Sequence, residues 1–423
     1  MLKKAENIGG VRYCQRAPMV VYWILILPVQ AMAKTNKMSV VNLLSLLPDE
    51  ELNRIAEKTK VNYYTKVLDG KSILSLILYS LIECRRNSLR TMEDIFNSDV
   101  FKFLFNLDPE KTVRYNSISE RLSVINVEFF KQAYELIYTR FSQYYNEQEI
   151  EKHKLIRVDS TMVAETANKL AQGMNIGRKK DGKKQVKYTV AFDGHFPCLS
   201  ELFTDKKFLS EDLTIPKVVS SMAIKDKDAI FAFDRGVQSR STFCSLSDSH
   251  TLFVTRLNAN ARYIVAEDIS KVVPDEKYGS LVLQSDQKIK FKKKGSEKCY
   301  ENHFRLIIAT NPKSDETYYF LTNIFDLGIG EILAFYKKRW DIEVFFRFLK
   351  QELNFSHIIS TSENGLQVMM YMTLITSMLV LVYKKLNQVG YKTAVRRISF
   401  ELNEFIIKLV VKNSGGDPSL VFR

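Results

Sequence analysis

Two short stretches decide the fold: Leu155-Ile156-Arg157-Val158-Asp159-Ser160-Thr161 and Ala229-Ile230-Phe231-Ala232-Phe233-Asp234-Arg235-Gly236. Each is a run of apolar, β-forming residues that stops on an aspartate. A continuous apolar run, rather than an alternating one, marks a strand buried on both faces, as in a parallel sheet covered by helices. A carboxylate at the end of such a strand lies at the sheet edge, where ligands reach it. Taken singly, each aspartate also suits a turn.

Outward from these stretches the pattern stays mixed. Gln185–Phe192 alternates and is rich in β-formers, and Cys198–Phe203 can pair with it. Asp212–Ala223 and Gln238–Leu246 read as helices, and Thr251–Arg256 as a further strand. Short β-like runs fill Leu257–Lys313, and Thr317–Thr322 returns to the sheet. Gly328–Leu353 reads as one long amphipathic helix. The expected class is α/β, a mixed sheet with flanking helices and a β-rich insertion, between helical N- and C-terminal regions. At the N-terminal side, Ser72–Ile82 reads as a buried helix and Ser117–Phe141 repeats apolar residues at helical spacing. At the other end, Val368–Tyr383 is apolar but carries Thr373, Thr376 and Ser377, which points to a buried helix rather than a membrane span.

With 423 residues, about 2.8 domains of roughly 150 residues are expected. A charged fraction of 26% beside 46% hydrophobic excludes a disordered chain. The five cysteines, Cys14, Cys84, Cys198, Cys244 and Cys299, contain no C-x-x-C pair, and the five histidines no H-E-x-x-H. Disulfide frameworks, zinc sites and histidine-based metal sites are therefore not expected, and a reducing cytoplasm is. The net charge of +14 is clustered. Arg178–Lys187 holds six basic residues and one acid, and so does Lys288–Lys298. Such clusters call for a polyanion, most commonly nucleic acid. Lys3, Lys4, Met19–Leu27 and Ala31-Met32-Ala33 imitate a signal peptide. Set against the cytoplasmic character of the remainder, residues 1–38 are read as an extension outside the fold, with translation starting at Met32 or Met38.

A third acid joins the two aspartates. Tyr336, Arg339, Glu343 and Lys350 are offset by 3, 7 and 14 residues, which at about 100° per residue puts all four in one narrow helical stripe. Ile342, Phe345, Phe348 and Leu349 are left for the core. A solvated face with an Arg339–Glu343 pair would explain two of the four residues. Asp159, Asp234 and Glu343 together suit hard divalent cations. Two ions about 4 Å apart can acidify an attacking water or 3′-hydroxyl and stabilise the leaving oxygen of an in-line phosphoryl transfer.

These blocks resemble the DDE transposases of bacterial insertion sequences, specifically the insertion-sequence 4 family. Val158-Asp159-Ser160-Thr161 and Phe233-Asp234-Arg235-Gly236 are similar to the first two family blocks. Tyr336-x-x-Arg339-x-x-x-Glu343-x-x-x-x-x-x-Lys350 matches its Y-R-E-K signature at full spacing, with Leu321-Thr322-Asn323 before it and Arg339-Trp340-x-Ile342-Glu343 inside it. Val237 departs from the pattern, since an aromatic is common after D-R-G. The resemblance implies a ribonuclease-H-like core in residues 151–256 and 317–360, interrupted by a β-rich insertion at 257–316. Residues 39–150 would bind the DNA end and 361–423 form a C-terminal helical region. It further implies that Asp159, Asp234 and Glu343 are the catalytic metal ligands for two Mg²⁺ ions, with Mn²⁺ as a substitute. Tyr336, Arg339 and Lys350 would contact DNA phosphates. In that frame the basic runs, Arg178, Lys179, Lys180, Lys183 and Lys184 in one and Lys292, Lys293 and Lys294 in the other, would track double-stranded DNA. The implied partners are the terminal inverted repeats, target DNA and a second copy on the DNA, with no membrane. The implied location is the bacterial cytoplasm, on the nucleoid when bound. Two other readings remain: a catalytically inactive DNA-binding relative, and another Mg²⁺-dependent ribonuclease-H-like nuclease.

Overall fold

The computed structural model describes residues 38–47, 49–84, 86–142, 153–165, 170–177, 182–269, 276–293 and 295–421. Residues 1–37, Arg178, Lys179, Lys180 and Lys294 lie outside the described residues, and with them the readings placed on those positions.

Seven helices open the described chain: α1 (Val40–Leu44), α2 (Asp49–Thr59), α3 (Gly70–Glu83), α4 (Leu89–Asn97), α5 (Asp99–Leu104), α6 (Tyr115–Val124) and α7 (Val127–Ser142). Asp69 caps α3 by accepting from the Ser72 N–H at 2.8 Å, which fixes where the apolar run Ser72–Ile82 becomes helical. The stretch that reads as one periodic segment, Ser117–Phe141, is two helices. Ile125 leaves the helical region, and Asn126 restarts the chain by accepting from the Glu128 N–H at 3.0 Å.

The sheet and its first covering helices follow: β1 (Leu155–Ala164), β2 (Met174–Asn175), β3 (Lys184–Phe192), β4 (Pro197–Phe203), α8 (Glu211–Lys225), β5 (Ile230–Phe233), α9 (Arg240–Asp248), β6 (Leu252–Leu257), β7 (Tyr263–Asp268) and β8 (Lys277–Tyr278). After them come β9 (Leu281–Phe291), β10 (Phe304–Asn311), β11 (Glu316–Thr322), α10 (Ile329–Lys338), α11 (Trp340–Glu352), α12 (Glu363–Leu386) and α13 (Tyr391–Asn413). One sheet has the order β2-β3-β1-β5-β6-β11-β10-β9-β7, with β4 on β3 and β8 on β9. Strands β1, β3 and β4 are antiparallel neighbours. The chain then crosses through α8 to β5, parallel to β1, and through α9 to β6, parallel to β5. Three antiparallel strands followed by two parallel ones reached through helices is the ribonuclease-H-like arrangement. Residues 257–316 do not fold apart from it. Their strands extend the same sheet, because β11 pairs antiparallel with β6 and carries β10 and β9 beyond it.

Strand alternation assigns the faces. Ile156, Val158, Phe231 and Phe233 share a core with Ile215, Val218 and Val219 of α8 and Phe243 of α9. Leu155, Ile230, Ala232 and Val254 pack with Ile332, Leu333 and Phe335 of α10. Arg157, Asp159 and Asp234 follow the second set by their period of two, so the acids belong to the face of α10 and α11.

Helix α12 is long and apolar enough to cross a bilayer, but 83% of its apolar window is buried. It packs against α1, α3, α6, α7 and α13, so the first and last described helices share one helical core.

Candidate active site at the sheet edge

Asp159 and Asp234 reach the same edge by register. Val158 stands opposite Phe233, the last pair of the parallel β1/β5 ladder, and each aspartate follows its partner by one residue. Strand β1 does not end at Asp159 as its apolar run implies. It continues to Ala164 on β3, and it is β5 that stops. Asp159 therefore sits where one ladder ends beside another that goes on, a gap in the sheet rather than a strand terminus. Each carboxylate also accepts the N–H of the next residue, Ser160 on Asp159 and Arg235 on Asp234, both at 2.7 Å.

The segment expected as one helix, Gly328–Leu353, is two helices meeting at Arg339. The backbone there tightens to three-residue bonds, Arg339 N–H to the Tyr336 carbonyl and Ile342 N–H to the Arg339 carbonyl, while Arg339 keeps helical angles. Ile342, Phe345, Phe348 and Leu349 are buried, which turns the remaining stripe toward the aspartates. The Tyr336 hydroxyl donates to Asp234 at 3.1 Å. Arg339 Nη2 pairs with Glu343 at 2.8 Å, with the Arg339 side chain only 9% exposed. Its Nε and Nη1 are buried and have no partner among the described residues. Lys350 lies near enough for Asp159 to oppose the downward push of burial on its ammonium.

Arg157 fixes the helix junction to β1. It is 3% exposed, donates to the carbonyls of Leu155 and Asp193 at 2.7 and 3.0 Å, and pairs with Asp341 at 3.1 Å. One guanidinium thus ties the strand of Asp159 to the first turn of the helix that carries Glu343.

The electrostatics are those of crowded acids. Burial pushes the Asp159 carboxyl up to about 7; the charges of Glu211 and Asp234 add to this, while the Ser160 N–H and Arg339 oppose it. Burial also raises Glu211, with Asp234 and Asp212 contributing and Lys187 and Arg339 opposing. Tyr336 is pushed up to about 12 by burial and by Asp234. Among the described residues no three acids are gathered closely enough to hold an ion as they stand. Glu343, the acid of the stripe, is turned to Arg339.

Glu211 is not legible as a site residue. In sequence it reads as an acid before a helix beginning at Asp212, and the glycine of D-R-G is the one signal that could have found it. A Cβ on Gly236 would lie 1.5 Å from the Glu211 carboxylate oxygen Oε2, so the glycine makes room for that carboxylate.

The basic runs divide. Lys187, on β3, is 3% exposed and donates to the Leu209 carbonyl at 2.5 Å. Lys184 donates through its ammonium to the carbonyls of Leu170 and Ala171 at 2.9 and 2.8 Å. Lys183 immediately precedes β3. Lys292 pairs with Glu297 at 2.7 Å, and the Lys293 ammonium lies 5.5 Å from the Tyr300 ring centre. Lys292 and Lys293 line an open cleft of about 1260 Å³ with Arg240, Arg262, Tyr263 and Tyr300.

A family model described as a transposase DDE domain matches residues 150–379. The y4zB protein of Sinorhizobium fredii, named as a putative transposase, is 25% identical over 164 residues, 39% of this chain and 45% of that protein, so the chain spans less than half of this relative. The probable transposase named for insertion sequence element IS5377 of Geobacillus stearothermophilus is 20% identical over 336 residues, 79% of this chain and 82% of the relative. Among solved structures, a cryo-EM structure of the piggyBac transposase synaptic complex with hairpin DNA is matched over 91% of this chain and 84% of that chain, at 12% identity and a TM-score of 0.47.

Proposed function

This chain belongs to the transposase DDE domain family, and from that premise we propose that it binds the terminal inverted repeats of an insertion sequence of the insertion-sequence 4 type. There it performs metal-dependent cleavage and joins the 3′-hydroxyls to target DNA. One observation carries the reading. Asp159 and Asp234 reach one sheet edge from two distant segments, and a third brings Tyr336 onto Asp234 and Lys350 beside Asp159, with Arg339 holding Glu343 on the same helical stripe.

The donor set fits Mg²⁺ or Mn²⁺, because it offers carboxylate oxygens and no sulfur or imidazole. Asp159, Asp234 and Glu343 would hold the cations, which when bound supply the acidification of the attacking oxygen and the charge opposite the leaving one. The protein's own groups do the rest. Tyr336 orients Asp234 through its hydroxyl. Arg339 keeps Nε and Nη1 for a phosphate while its Nη2 holds Glu343, which would be one of the cations' ligands. Lys350 places a point charge beside Asp159. Two DNA ends must be joined in one event, so the acting form is a dimer on double-stranded DNA, working in the bacterial cytoplasm and not at a membrane.

The test uses duplexes carrying the inverted repeats found in the DNA flanking the gene, incubated with the full chain and Mg²⁺. Strand transfer is expected, together with its loss in Asp234→Asn while duplex binding is retained. Joining by that variant at the normal rate would remove Asp234 from the site and the reading with it.

A further inference from the structure

Glu211 enters the sheet edge from the side opposite the Glu343 helix. Its carboxylate rests on the backbone of Gly236, two residues beyond Asp234, so closely that even a methyl group at that position would sit 1.5 Å from Oε2 and 2.6 Å from Cδ. This approach is built rather than incidental. Asp212 Oδ1 accepts the N–H groups of Gln238 and Ser239, each at 2.7 Å, and so clamps the first turn of α8 onto the loop that follows Asp234. Ser210 already caps the helix, accepting from the Asp212 N–H at 3.2 Å. Glu211 is therefore not needed as a cap, and it turns inward where an ordinary first-turn acid would face water.

A second, independent observation marks the same space as a ligand site. The Arg339 side chain is nine-tenths buried and keeps two donors there that have no partner among the described residues. Buried orphan donors are costly unless an acceptor completes them, so they call for an anionic oxygen, such as a phosphate's, beside these carboxylates. On the acidic side, Asp159 and Glu211 are each raised by burial and by neighbouring acids, with Arg339 opposing both and Lys187 opposing Glu211. Asp159, Asp234 and Glu211 share this edge, and Lys187, the near cation on α8's side, is committed to the Leu209 carbonyl. Carboxylates that burial and like charge raise together are the condition that a hard divalent cation relieves.

We propose that Glu211 is a fourth carboxylate of the catalytic centre, binding the divalent cation together with Asp159 and Asp234, and that Gly236 is the residue that admits it. The inference rests on the metal-dependent reading above and adds a ligand to it. It accounts for the glycine of the D-R-G block by space, since Gly236 has no left-handed backbone to require it.

The test is Mn²⁺ binding, titrated calorimetrically into the full chain without DNA. Glu211→Gln, which keeps shape and removes charge, is expected to weaken Mn²⁺ binding about tenfold or more. Gly236→Ala is expected to do the same by displacing the carboxylate, and Glu211→Asp to recover part of the loss, which a packing role would not give. Unfolding midpoints near that of the unaltered chain show that the fold is intact. Undiminished Mn²⁺ affinity in Glu211→Gln, with binding lost in Asp159→Asn, would leave the centre standing and overturn the role of Glu211. Undiminished affinity in Asp159→Asn as well would overturn the metal-dependent reading on which the proposal rests.

Discussion

The two halves of the sheet treat buried charge in opposite ways. In the antiparallel half, Asp286 on β9 and Arg305 on β10 are 5% and 7% exposed at their side chains and form a forked pair. Arg305 Nε and Nη2 reach the carboxylate at 2.9 and 2.6 Å, and Nη1 completes the Leu327 carbonyl at 2.6 Å. In the parallel half, burial and neighbouring acids raise Asp159 and Glu211 against the opposing charge of Arg339, and Arg339 keeps two donors with no partner among the described residues. A saturated buried pair fixes architecture, here by holding the loop before α10. An unsaturated group is architecture left open for a ligand. Unpaired buried charge costs stability, so its persistence at one edge of the molecule is the physical mark of a site.

The largest effect should come from breaking the unsaturated side. Asp159→Asn and Asp234→Asn should each lower strand transfer by about a thousandfold or more, because cation charge stabilisation is worth several kcal/mol and about 1.4 kcal/mol is tenfold. Asp159→Asn should not lower the unfolding midpoint of the metal-free chain, since it removes a charge that burial and neighbouring acids disfavour. A chain that lost stability along with activity would erase the contrast between the halves.

The saturated side should respond in the reverse sense. Asp286→Ala or Arg305→Ala leaves one buried charge unpaired and should cost about 3–5 kcal/mol in denaturant unfolding. Replacing both, as Arg305→Met with Asp286→Leu, should restore most of that. If the single and double variants were equally unstable, the pair would be contributing its net attraction rather than avoiding an orphaned charge.

The pH dependence of Asp159 sharpens the comparison at smaller amplitude. An ordinary aspartate titrates near 3.8, and burial moves this one to about 7. The folded state therefore binds the extra proton between those values, and stability falls as pH rises through them. The cost is absent below pH 3.8 and complete above 7. Asp159→Asn should accordingly raise the stability of the metal-free chain at pH 8 by on the order of 1–3 kcal/mol, and by progressively less as the pH falls toward about 4. An increment that did not vary with pH would mean that the substitution acts through packing.

How much of this is legible in the sequence follows from what each feature depends on. The acidic strand ends, the helical stripe and the buried α12 depend on local apolar periodicity, which sequence displays directly. The break at Arg339 carries no Pro or Gly and arises because Arg157 and Asp341 tie the junction to β1. Glu211 depends on an approach between α8 and the loop after β5, separated by more than twenty positions in sequence. Only the glycine hints at it. Lys184 and Lys187 read as part of an exposed basic run, but strand pairing turns one ammonium onto carbonyls and buries the other.

The division among the lysines gives the smallest expected effect. Charge that faces a cleft should act through phosphates, whereas charge that completes carbonyls should act through stability. Lys292 and Lys293 line the cleft with Arg240 and Arg262. Changing Lys292, Lys293 and Lys294 together to Ala should weaken binding to all duplex sequences alike. It should also flatten the slope of log affinity against log salt by about 0.9 for each phosphate no longer neutralised. Because Lys292 already pairs with Glu297, the flattening should fall short of what three fully engaged lysines would give. Lys184→Ala should leave the salt slope unchanged and lower the unfolding midpoint instead, as the Leu170 and Ala171 carbonyls are deprived of their donor. Salt titrations of both variants read the difference directly: equal slopes would mean that both runs lie on the DNA, and an unaltered slope in the triple variant would take the cleft off the DNA path.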